Sequence, residues 1–180
     1  MNASDFLAEL RRMSTDQLEQ VGQRSLRDHI IAQAEVAREK HGPLTFARLD
    51  ALLHDSVCVR YPVRLVYEFG EMALHQFGQP DHDWRDETGR GRVLYLRPAL
   101  REHPDLTVLA VAYLIPLINY GEVATDEHCL AYGAALLGQS EDEFYLKLCA
   151  LADITGAETR FAEADAPAPS HGCSGSCGCH

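Results

Sequence analysis

Leu106-Thr107-Val108-Leu109-Ala110-Val111-Ala112-Tyr113-Leu114-Ile115-Pro116-Leu117-Ile118 is the stretch that decides the fold. Apart from Thr107, Tyr113 and Pro116, every side chain in it is aliphatic. A helix that is apolar on all sides has to be surrounded by protein rather than laid on a surface. The run has 13 residues, whereas crossing a bilayer takes about 20. It therefore reads as the buried centre of a domain. Pro104, with no N–H to lose, suits the first turn of that helix.

Helices are predicted on either side of it. Downstream, Thr125 starts one, with Asp126 and Glu127 at its positive end and Gly138 past its last turn. Ser140 and Glu143 form a capping box for another, which carries Phe144, Tyr145, Leu148, Cys149 and Leu151 and is expected to stop at Gly156. Upstream, Ser14 and Gln17 form a capping box for a long helix closed by Gly42-Pro43, with Leu18, Val21, Leu26, Ile30, Ala34 and Ala37 on its apolar face. A short helix follows from Thr45, turning Phe46, Leu49, Leu52 and Leu53 inward, and a weaker one is expected over residues 5–12.

The segment 57–77 fits two periods. Seven of the 13 residues from Val57 to Phe69 are valine, tyrosine or phenylalanine, which favours a strand for its first part. Residues 92–96 read as a second strand, and the two are expected to pair across the polar loop 79–91. The fold class is thus mainly α with a small β-hairpin (α+β). It comprises one globular domain over residues 1–156, a flexible linker over 157–170, rich in alanine and proline, and a disordered tail over 171–180.

That tail carries the chemistry. His171, Cys173, Cys177, Cys179 and His180 fall within ten residues that hold no large apolar side chain. Such a segment has no core to pack, and Gly172, Gly175 and Gly178 let it fold around one centre. Thiolate and imidazole together suit Zn(II), Cu(I) or Ni(II). Residues 173–179 resemble the C-x2-C-G-C nickel-binding motif of some hydrogenase-maturation GTPases. The resemblance implies metal handling alone, since the chain has no GxxxxGK[ST] phosphate loop. Cys58, Cys129 and Cys149 sit among apolar residues and are expected to be small buried hydrophobes.

The formal charge of −11 argues against a nucleic-acid partner. The first residues lack the basic segment and apolar run of a signal peptide, so the expectation is a cytoplasmic protein with no membrane partner. In a reducing compartment the six cysteines are not presumed to be disulfides, and clustered ones lean toward metal or redox chemistry. The reading is therefore a metal-binding accessory protein, a metallochaperone or buffer for zinc, nickel or copper with a protein client to receive the metal, rather than an enzyme. A second reading starts from Leu52-Leu53-His54-Asp55, which resembles the core of HD-domain metal phosphohydrolases. That resemblance implies a metal-dependent hydrolase with His29, His54 and Asp55 as ligands. A third is a protein-interaction scaffold whose tail is incidental.

Overall fold

The computed structural model describes residues 12–73, 76–81 and 91–164, with side chains as far as Thr155. The tail ligands His171, Cys173, Cys177, Cys179 and His180, residues 165–170 of the linker, and residues 5–11 of the expected N-terminal helix lie outside the described residues. Within them there are five α-helices and a three-stranded sheet. In chain order these are α1 (Thr15–His41), α2 (Phe46–Leu53), β1 (Val63–Tyr67), β2 (Gly78–Asp81), β3 (Arg92–Leu96), α3 (Pro104–Tyr120), α4 (Asp126–Leu137) and α5 (Glu141–Ala164).

Helix α3 is the apolar run, and it is central. It touches α2, α4, α5 and β2, and ten of its residues are buried, from Thr107 to Ile118. The Thr107 hydroxyl donates to Leu100 O at 2.8 Å, so the one hydroxyl buried inside the helix is satisfied. Helix α4 packs between α1 and α5. Its contact with α5 depends on Gly133, because a Cβ there would stand 2.2 Å from Cζ of the fully buried Phe144. Arg27 of α1 pairs with Glu141 of α5.

The caps form where the sequence places them. Ser14 and Gln17 exchange hydrogen bonds at 2.9 and 3.3 Å, and Ser140 and Glu143 do the same at 3.2 Å each. At the start of α4, His128 Nδ1 accepts from the Thr125 amide at 3.0 Å. Its Nε2 therefore carries a proton and donates to Gln23 O of α1 at 3.1 Å.

Several expectations are corrected. The strands do pair, but β1 runs parallel to β3, with Val63 opposite Arg92, so they do not form a hairpin. The loop expected between them contains β2, which lies antiparallel on the other side of β3. Helix α5 continues through Gly156 to Ala164. One interior glycine costs a helix only about 1 kcal/mol, and residues 157–164 are mostly good helix formers. On α1 only Ile30, Ala34 and Ala37 are buried, and Leu18 is 42% exposed. At about 1.5 Å per residue, the 27 residues of α1 outreach the 12 of α4, and α4 begins beside Gln23. The turns before Gln23 project past it. Phe46, Tyr145 and Cys149, all expected inside, are exposed.

Candidate metal centre

The end of α1, the end of α2 and the turn after α2 meet at one point. Helix α1 stops because Gly42 adopts φ +67°, a conformation that disfavours other residues, and Pro43 cannot continue the helix. That leaves His41 as the last helical residue. Arg48 of α2 donates to His41 O at 2.7 Å and fixes the angle between the two helices. Past α2, the Asp55 carbonyl accepts from the amides of Cys58 and Val59, both at 2.9 Å. Its Oδ1 accepts from the Val57 amide at 3.0 Å, a local turn typical of aspartate. Asn119, near the end of α3, donates to Cys58 O at 3.1 Å and accepts from the Arg60 amide at 2.8 Å.

These constraints bring His41, Asp55 and Cys58 together, with one potential ligand atom from each lying within 4.8 Å of the others. Among the described residues this is the one such group of three or more histidine, cysteine, aspartate or glutamate side chains. Asp55 Oδ2 is the hub. It accepts from Lys40 Nζ at 2.6 Å and His41 Nε2 at 2.8 Å, and the Cys58 thiol points to it at 3.6 Å. The Asp55 side chain is 11% exposed and that of Lys40 is 51% exposed.

The electrostatics follow from that geometry. The ammonium of Lys40, then the Val57 amide and the His41 ring, hold the Asp55 carboxyl well below the usual carboxylate range. Burial, reinforced by the Asp55 charge, pushes the Cys58 thiol up to about 11. A catalytic cysteine needs the opposite, a stabilised thiolate beside a base. Here the histidine and the thiol both turn to the same carboxylate oxygen, so a Cys–His relay is not formed. Imidazole, carboxylate and thiolate are instead the ordinary ligands of zinc-type cations. Donor atoms around a four-coordinate zinc sit about 3.5 Å apart, so closing this group on an ion takes shifts of about an ångström.

The three histidine and aspartate residues of the hydrolase reading are not brought together. His29 stands edge-on to Tyr120, with ring centroids 6.1 Å apart. His54 caps α2, its Nδ1 2.9 Å from Asp50 O. It lines a cleft of about 560 Å³ whose walls include Phe46, Leu49, Leu65 and Tyr67 and which Asp55 does not reach. Only Asp55 of that set belongs to the cluster. Cys58 and Cys129 are buried, as expected of each.

No family model matches this chain, and no curated protein or solved structure matches it.

Proposed function

We propose that this protein is a transition-metal-binding accessory protein of the cytoplasm, which holds a metal ion for transfer to a protein client. The observation that carries the reading is the His41, Asp55 and Cys58 cluster, whose ligand atoms are already gathered around a single carboxylate oxygen. Three ligands leave a coordination position open, which suits an ion that must be passed on. The carboxylate makes the site harder than an all-sulfur one and favours Zn(II) or Ni(II) over Cu(I). The tail would be a second, softer site in which Cys173, Cys177, Cys179 and His180 bind the ion, with His171 as a substitute ligand. Metal could then be collected on one site and held on the other.

The test is elemental analysis, after anaerobic loading with Zn(II), of three full-length proteins. They are the wild type, a variant with the five tail ligands replaced (Cys173→Ser, Cys177→Ser, Cys179→Ser, His171→Ala, His180→Ala), and that variant with Asp55→Asn and His41→Gln added. The expected result is a stepwise loss, with one equivalent remaining in the tail variant and none in the last. Equal metal content in the second and third proteins would remove the cluster from the reading. Absence of bound metal from all three would end it.

A further inference from the structure

The position on Asp55 that a metal ion would take is held by a cation of the protein's own, Lys40. Its ammonium sits 2.6 Å from Oδ2, the oxygen to which His41 and Cys58 also turn. We infer that Lys40 is a displaceable internal counter-ion of this site, which leaves Asp55 when a divalent cation binds and returns when it departs. The inference rests on the metal-binding reading of the cluster and adds to it a device that controls affinity.

Charge balance supports it. Without metal the site combines the Asp55 carboxylate, the Lys40 ammonium, a neutral thiol and an imidazole; with the imidazole neutral, the charges sum to zero. When an M(II) ion binds, a metal–sulfur bond replaces the S–H bond and the thiol proton goes to solvent, while the neutral His41 ring frees Nε2 by carrying its single proton on Nδ1. The carboxylate and thiolate then neutralise the ion fully. If Lys40 stayed, an uncompensated positive charge would remain beside a carboxylate that is 11% exposed, an unfavourable place for it. Lys40 can leave, because its side chain is 51% exposed at the end of a long flexible stem. His41, next to it in the chain, is held through its carbonyl by Arg48, so the ligand can stay while the lysine swings away.

The consequence is a site whose affinity is held down by competition, as delivery requires. Removing the competitor should tighten binding, and replacing it with a better one should weaken it. Co(II) binding is read from thiolate-to-metal charge-transfer absorption in the full-length protein carrying the five tail substitutions. Lys40→Met is expected to raise Co(II) affinity by about tenfold. Lys40→Arg keeps the charge but grips a carboxylate with a two-pronged fork, and is expected to lower affinity below that of the lysine protein. In parallel, acetylation of Lys40 by acetic anhydride, followed by peptide mass spectrometry, should speed up several-fold on addition of Co(II). If the charge-transfer band forms but Lys40 acetylation does not change, the displacement is wrong and the metal site stands. The displacement also fails if Lys40→Arg binds as tightly as Lys40→Met. Absence of the band from the lysine, methionine and arginine proteins alike would refute the metal site and the displacement with it.

Discussion

Replacing Asp55 with asparagine tests the centre of the structure without adding or removing volume. Asparagine can keep its oxygen on the Val57 amide, but its NH2 group then faces the Lys40 ammonium and the His41 ring, both donors toward the native carboxylate. Two charge-assisted bonds are lost, each worth about 1.5–3 kcal/mol when shielded from water. The Lys40 bond is half in solvent, which brings it toward the 0–1 kcal/mol usual for exposed pairs. His41 can recover part of its share by moving its proton to Nδ1 and accepting from the amide. The net loss should be about 2 kcal/mol at pH 7, read from urea unfolding followed by far-UV circular dichroism. The pH dependence separates charge from shape. The native carboxyl titrates below its unfolded value of about 3.9. Its stabilisation is therefore complete above that value and is lost as pH falls toward the lower native one. Between pH 7 and pH 3 the gap between wild type and Asp55→Asn should close by about 1 kcal/mol. A deficit below 0.5 kcal/mol at pH 7, or one equal at both pH values, would refute the account of Asp55 as a buried ionic hub.

Three further outcomes follow from named contacts. Gly133→Ala should destabilise by about 1–3 kcal/mol despite alanine's helix preference, because the new Cβ meets Phe144; a melting temperature at or above wild type would show that α4 and α5 can part there. Brief alkylation with iodoacetamide at pH 8, mapped by peptide, should modify exposed Cys149 and spare buried Cys58 and Cys129, whose thiols are pushed up to about 11 and about 12 by burial; comparable labelling of all three would contradict the packing. Arg97→Lys should cost about 1–3 kcal/mol, since a single ammonium cannot reproduce the fork that donates to Gln76 O at 2.8 Å and Ala73 O at 2.9 Å, and an unchanged urea midpoint would show that this clamp does not matter.

Local signals carried much of the fold. Capping boxes at Ser14 and Ser140, the break at Gly42-Pro43 and the all-round apolar surface of α3 each act within a few residues, and each is realised. Strand direction was not legible, because the run 63–67 has the same composition whether its partner is parallel or antiparallel, and β2, with Gly78 and Pro80, does not read as a strand at all. The candidate centre divides in the same way. Asp55-Ser56-Val57-Cys58 is a local turn whose side chains meet because the spacing is short, so the pair could have been found from sequence. His41 lies 14 residues upstream, and only the α1–α2 angle set by Arg48 brings it in. His54 reads as a site residue only through its neighbour Asp55, yet its ring turns back to Asp50 to cap its own helix.

Pro80 has a meaning for the sheet beyond its place in β2. It lies opposite Leu94 on a border strand, and a proline can enter a ladder only where its missing N–H would have pointed away from the neighbour. The outer side of β2 therefore offers a visiting strand one donor fewer over a length of four residues. Growth of the sheet from that border, by a second copy or by a misfolded neighbour, is disfavoured from the start. The three strands are in this sense a self-limiting unit on that side: the residue that made β2 hard to recognise is also the one that ends the sheet there.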